Sequence, residues 1–292
     1  MSSPSDAKQI AITFDDAPLS GSHLMAGKEK TKLIINHLKD NKVSDALFFV
    51  TTGNIHTESD IHRLQAYTDA GFHLAHHSHN HISANKVDTQ VYLDDFDTSH
   101  AMLQKYQGVL KFHRHPYLHY GQSVNKREAI ATHLKRKGYQ LGYVTVDNYD
   151  WYINAKLVNA QASGLQVDYE KLGQLYVDAL WASIEFYDSL AQKHLKRSPK
   201  HVLLLHENEV AALYLDKLIQ HIRAKGWEII SPQHAYTDPI AARYDAKSST
   251  FNKQGRVASI LHSSGVDTAE LRHESENTDY IDQLFAQYHV FK

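Results

Sequence analysis

This chain of 292 residues contains no cysteine, which removes disulfides, thiolate catalysis and cysteine-ligated zinc together. It has no apolar run long enough to cross a membrane, and residues 1–7 are polar, without the apolar core of a signal segment. It also lacks an excess of either charge. Lys and Arg number 31 against 33 Asp and Glu, leaving a net charge of −2 with histidine neutral, and the two signs are interspersed. Such a balance predicts no basic face for nucleic acid or an anionic membrane. The hydrophobic share, 42%, is enough for a sizeable core in one large α/β domain or two small ones. What is abundant is histidine, with 22 residues, many of which would protonate below about pH 6 and make the molecule strongly cationic.

Histidine is densest in Gly71-Phe72-His73-Leu74-Ala75-His76-His77-Ser78-His79-Asn80-His81. His77 and His81 stand four apart, so a helical turn would present both imidazoles on one face, within reach of one ion. Two histidines do not complete a site. A catalytic zinc ordinarily has three protein ligands and one open position, and a carboxylate is a common partner of two histidines. The bland alternative is a solvated histidine run at a strand end. A candidate carboxylate lies upstream, where the apolar run of residues 9–14 delivers Asp15 and Asp16 before Ala17-Pro18 stops regular structure. As a strand breaks into a loop, neighbouring side chains point to different sides, so one aspartate could hold a metal while the other handles a proton. Two solvated turn aspartates would look the same in sequence.

The spacing of apolar residues predicts a helix over 28–40 with Leu33, Ile34 and Leu38 inward, a buried strand over 45–51, and a helix over 58–70 stopped by Gly71. Further on it predicts a helix over 89–106, a strand over 109–113, a helix over 123–138, a strand over 141–146, a strand over 202–206, a helix over 211–225 and a closing strand over 226–230. Alternating strands and helices imply parallel βα units, whose functional residues gather beyond the C-terminal ends of the strands. Asp15-Asp16 and His77-His81 both occupy such ends.

Thr13-Phe14-Asp15-Asp16, then His77-Ser78 with His81, then Arg114-His115-Pro116-Tyr117 resemble, in order, the first three signature motifs of the polysaccharide deacetylases, the NodB-homology family of carbohydrate esterase family 4. Asp147-Asn148-Tyr149-Asp150-Trp151 looks like the family's Asp-x-x-Asp-Trp motif. His206, at the end of an apolar strand, is similar to its last motif, with Glu207 where many members have Asp. The resemblance implies a distorted (β/α) barrel with fewer than eight strands. It also implies metal-dependent removal of acetyl groups from N-acetylated, sometimes O-acetylated, sugars. Asp16, His77 and His81 would hold one divalent ion, zinc first, with cobalt, nickel or iron also suited to the donor set. By the same resemblance Asp15 would be the general base, oriented by Arg114, and the backbone N–H of Tyr117 would help hold the oxyanion. His206 would protonate the leaving amine, paired with Asp150 or with Asp147, a choice that spacing leaves open. Trp151, with Tyr117, would wall the substrate pocket. The expected partner is an acetylated glycan, and the resemblance favours a periplasmic or secreted setting.

Residues 8–236 would form the barrel, with 152–199 a long insertion between the fourth and fifth motifs. That insertion is expected to carry loops near the site, such as residues 152–164, and a helix over 169–195 with Leu172, Leu175, Tyr176, Leu180 and Phe186 apolar. Residues 237–292 read as an extension whose Tyr280, Ile281, Leu284, Phe285 and Tyr288 recur at helical spacing, to pack on the barrel or against a second copy. Ala17, where the family usually has Gly, would narrow the approach to the metal, and His76 and His79 could replace a ligand or bind a second ion. Two other readings compete: a metal-independent cyclic amide hydrolase of the same superfamily, and a non-catalytic protein that binds glycan or sequesters metal.

Overall fold

The computed structural model describes residues 7–242 and 254–292. Most of the polar start of the chain, and residues 243–253 of the expected extension, lie outside the described residues. The elements run β1 (Gln9–Ala17), α1 (Gly27–Asp40), β2 (Leu47–Val50), α2 (Glu58–Asp69), β3 (His73–His76), α3 (Thr89–Leu103), β4 (Val109–His113), α4 (Val124–Arg136) and β5 (Gln140–Leu141). They continue with α5 (Asp150–Ala162), α6 (Tyr169–Leu195), β6 (His201–His206), α7 (Glu209–Ala224), β7 (Glu228–Ile229), α8 (Pro232–Ala235), α9 (Arg256–Ser263) and α10 (Thr278–Gln287).

Seven strands make one sheet in the order β5-β4-β3-β2-β1-β6, with β7 also on β1, and every pairing is parallel. Parallel strands covered by helices on their outer face bury both sides, which is why β1 and β2 read as near-continuous apolar runs rather than alternating ones. The sheet curls into the expected distorted barrel of fewer than eight strands. Its closure explains a departure from the strand expected over 141–146. Regular pairing with β4 covers only Gln140–Leu141, and the chain then crosses to the opposite edge, where the N–H groups of Thr145 and Val146 donate to the Val202 carbonyl of β6 at 3.0 and 3.1 Å. The crossing needs close approach: a Cβ on Gly142 would sit 2.5 Å from the Phe49 ring.

Residues 152–164, expected as loop, instead lie largely in α5, because Ile153, Leu157 and Ala160 bury one helical face and Gly164, at φ +71°, stops the helix. In α1 the buried face is Lys30, Thr31, Ile34 and Leu38, rotated from the expected one, with Leu33 only half-buried. Lys30 is tolerated there because its ammonium donates to the Ser20 carbonyl at 3.0 Å. Helix α10 turns Ile281 and Phe285 onto α5 and α6, and Tyr288 donates to Asp178 of α6 at 2.7 Å. No helix among the described residues is long and apolar enough to cross a membrane.

Two buried polar groups have consequences for stability. Glu207 points to the side opposite His206, as neighbours along an extended chain do, and is fully buried. It accepts from Arg63 at 2.9 Å on both oxygens, from Tyr67 at 2.7 Å and from the Leu19 N–H at 2.7 Å, tying the end of β6 to α2 and the β1–α1 loop. Breaking such a pair leaves the buried Arg63 guanidinium with only Asp60, at 3.2 Å, as countercharge and leaves the Tyr67 hydroxyl without its acceptor, so Glu207→Ala is expected to lower the unfolding free energy by about 3 kcal/mol, read as a reduced urea midpoint with an unchanged slope. Between β3, β4 and α3 lie His76, His113 and His115, all buried. Burial holds His76 and His115 down at about 3 and His113 well below the ordinary imidazole range. The unfolded chain therefore binds protons below about pH 6.5 that the folded chain refuses, and stability falls with pH from there toward 3. At pH 5, His76 and His115 should each cost about 2 kcal/mol relative to pH 7.5, measurable by denaturant titration at the two pH values.

Candidate active site

Parallel strands end at one edge, and five neighbouring ends supply this site. In the β1–β6 register Asp15 stands beside His206. Asp16 follows with a left-handed backbone, φ 68°, which turns its carboxylate the other way from the buried Asp15. Arg114, one residue beyond β4, is buried and donates from Nη1 to Asp15 Oδ1 at 2.5 Å, from Nε to the Gly142 carbonyl at 2.8 Å and from Nη2 to the Tyr236 hydroxyl at 3.2 Å. Its guanidinium lies 3.8 Å from the centre of the Phe49 ring.

His77 and His81 do converge, but not on a helical turn. His77 extends the β3 ladder by donating its N–H to Val50, after which Ser78 (φ 72°) and His81 (φ 51°) bend the chain back through left-handed conformations. The bend is fixed by Ser78 Oγ, which accepts the His81 N–H at 3.0 Å, and by Asp95 of α3, which accepts the N–H groups of His79 and Asn80 at 2.8 and 2.9 Å. The ring centres end 5.0 Å apart. His77 Nδ1–H donates to the Arg114 carbonyl at 2.9 Å, which leaves Nε2 with the lone pair. Burial first, then the neighbouring His81, pushes the His77 pKa well below the ordinary value, so the ring is the neutral ligand form.

Asp16 Oδ1 lies 3.3 Å from His81 Nε2 and 3.7 Å from His77 Nε2, and one donor atom from each of the three residues falls within 4.8 Å of the others. Two donors each about 2.0–2.2 Å from a tetrahedral ion are about 3.3–3.6 Å apart, so this set fits a zinc-sized divalent ion. Thr51 Oγ1 donates to Asp16 Oδ1 at 3.2 Å. His76 and His79 are not in the set: His76 is buried behind β3, and His79 Nδ1 pairs with Thr52 Oγ1 at 3.0 Å. The Cβ of Ala17 does not narrow the approach, because Ala17 packs fully buried in the core.

On the opposite side His206 Nδ1 lies 2.6 Å from Asp150 Oδ1, while Asp150 Oδ2 accepts the His206 N–H at 2.8 Å and Asn208 Nδ2 at 3.1 Å. Burial alone would lower the imidazole pKa, but Asp150, followed by Asp16 and Asp15, overcomes it and raises it to about 10. Of the two candidate aspartates, Asp150 is thus the one the fold places on His206. Asp147 lies in the cavity wall, where burial and the nearby Glu276 push its carboxyl well above the usual range. The cavity holds about 720 Å³ and opens between exposed Tyr117, its ring centre 4.4 Å from that of His81 in an edge-to-face contact, and exposed Trp151. The C-terminal extension reaches this wall too, its Ser275 carbonyl accepting the Tyr149 N–H at 3.2 Å.

Sequence reading missed Thr51, Asp95, Asn208 and Tyr236. Asn208 caps α7 by accepting the Ala211 N–H at 2.9 Å, a helix-start signal that was readable. The other three act from elements distant in the chain, and nothing local marks them.

In comparisons with known proteins, the family model described as polysaccharide deacetylase matches residues 2–153. No curated protein matches this chain in sequence. Among solved structures, a deacetylase solved with substrate is similar at 18% identity and TM-score 0.53, over 79% of this chain and 92% of that one. Peptidoglycan deacetylase PdaC from Bacillus subtilis is similar at 18% identity and TM-score 0.52, over 80% and 91%. A family 4 pseudoenzyme from Bacillus anthracis is similar at 14% identity and TM-score 0.54, over 79% and 66%. At these identities the structural likeness carries the fold alone, while the family match spans more than half of the chain and takes in Asp15, Asp16, His77, His81, Arg114 and Asp150, with His206, Asn208 and Tyr236 beyond it. This chain belongs to the polysaccharide deacetylase family.

Proposed function

We propose that the chain is a metal-dependent hydrolase that removes acetyl groups from N-acetylated, or O-acetylated, sugars of a polysaccharide or oligosaccharide. The observation that carries this reading is the arrangement of two braced groups across one three-donor set. Asp15 is held by Arg114 at 2.5 Å and His206 by Asp150 at 2.6 Å, with Asp16, His77 and His81 in the same cavity.

Asp16, His77 and His81 would hold a divalent ion, which would supply Lewis acidity toward the acetyl carbonyl and toward a water. The protein's own groups do the rest. Asp15, with Oδ1 occupied by Arg114, keeps Oδ2 3.6 Å from His77 Nε2, at the metal-facing side, where it takes the proton of the attacking water. The backbone N–H of Tyr117 helps hold the developing oxyanion. His206, cationic through Asp150, gives its proton to the leaving nitrogen or oxygen. Trp151 and Tyr117 offer exposed rings at the rim, surfaces on which sugar rings pack. One structural neighbour is a pseudoenzyme, which keeps a binding-only role in view. A glycan-binding scaffold, however, has no use for a braced base facing a braced acid.

Asp16→Ala and His77→Ala are expected to lose bound metal and acetate release together. Asp15→Asn and His206→Ala should retain metal and lose about 10²–10⁴ in kcat, scored by metal content and acetate release from acetylated glycans. Full activity in Asp15→Asn would overturn the assignment of the base. The acid form of His206 is the active one, so kcat should fall on the alkaline side, with a limb above 6.5 and no higher than about 10, because a bound cation offsets part of what Asp16 and Asp15 contribute. Asp150→Asn removes the main charge that raises this pKa, and its pH–rate profile should show the limb moved down by at least one unit.

A further inference from the structure

Behind the site, three buried histidines and a tyrosine form one directed line of hydrogen bonds. His76 Nε2 lies 3.0 Å from the Phe96 carbonyl, an acceptor only, so Nε2 carries the proton and Nδ1 the lone pair. That lone pair takes the Ser78 N–H at 3.1 Å and faces His113 Nδ1 at 2.8 Å, which must therefore be the donor. His113 Nε2 is left as acceptor and receives the Tyr92 hydroxyl at 2.9 Å, and the Tyr92 oxygen in turn accepts from His115 Nδ1 at 2.8 Å. One backbone carbonyl of α3 thus fixes the tautomer of every ring in the line.

The line touches the site at two points. Strand alternation puts His113 and His115 on one side of the β4 end and Arg114 on the other, and likewise His76 behind and His77 in front at the end of β3. The Arg114 carbonyl, from the residue that stands between His113 and His115 in the chain, is the group that orients His77 through Nδ1. Ser78, whose N–H is held by His76, orients His81 by accepting its N–H at 3.0 Å. We propose that Tyr92, His76, His113 and His115 are positioning residues that set the geometry of His77 and His81 for metal binding. This rests on the metal-dependent reading above.

The test is zinc affinity of chelator-stripped protein, by competition with a chromogenic chelator, together with the thermal midpoint of the same metal-free samples. Tyr92→Phe removes only the bridging hydroxyl, and His76→Leu keeps volume but removes the acceptor. Both are expected to weaken zinc binding by up to about 10-fold, the lower end of what losing a direct partner of a metal ligand costs, because each acts at least one bond further from the ligands. His76→Asn places Oδ1 where Nδ1 stood and should return the affinity to within about threefold of the unaltered chain, whatever its midpoint. A merely structural role would lower the midpoints and leave the dissociation constants alike. Zinc affinity unchanged in Tyr92→Phe and His76→Leu, or as weak in His76→Asn as in His76→Leu, would overturn the proposal. An unaltered chain that takes up no zinc, cobalt or nickel would instead overturn the metal-site reading, and this proposal with it.

Discussion

A guanidinium is costly to bury without a countercharge and hydrogen-bond acceptors, and Arg114 is buried at the centre of this site. Its needs dictate the surroundings. Asp15 supplies the countercharge, Gly142 a carbonyl, Tyr236 a hydroxyl and Phe49 an aromatic face. Those groups come from β1, from the point where the chain leaves β5, from the turn after α8, and from β2, so satisfying one side chain locks four parts of the barrel in register. The Arg114 carbonyl then reaches His77, and the same residue braces both the base and a metal ligand.

The cost of this arrangement is stored in the backbone. Asp16, Ser78, His81, Tyr117 and Leu118 all have positive φ without being glycine, and all five lie at the site. Each left-handed residue costs about 1–2 kcal/mol. Such conformations persist only where surrounding bonds overdetermine them, and here Thr51, Asn54, Asp95 and His76 supply those bonds. The buried histidines are part of that support. His76, His113 and His115 are three of the eight histidines in residues 73–81 and 113–119, and none of the three is in the metal-donor set.

The helix over 169–195 was legible to the residue, because its apolar spacing persists over many turns. The strand over 141–146 was not, since its halves pair with different neighbours and only the curl of the sheet decides where one pairing gives way to the other. Residues 152–164 were misread as loop although Ile153, Leu157 and Ala160 carry a helical period. At the site, Asp15, Asp16, His77, His81, Arg114 and His206 were legible as motif residues at strand ends. The loop conformation joining His77 to His81 was not, because Asp95 imposes it from α3.

By itself the sequence determined the parallel α/β alternation and the residue types available at each strand end, since both follow from local periodicity and composition. It also excluded thiolate chemistry outright. Only the tertiary structure decided that Asp150 rather than Asp147 meets His206, that His76 turns away from the site, and that Glu207 anchors α2 instead of facing the cavity. Those outcomes depend on which side of a strand a residue falls once the strands curl, and on partners more than a dozen residues away. No local pattern encodes either.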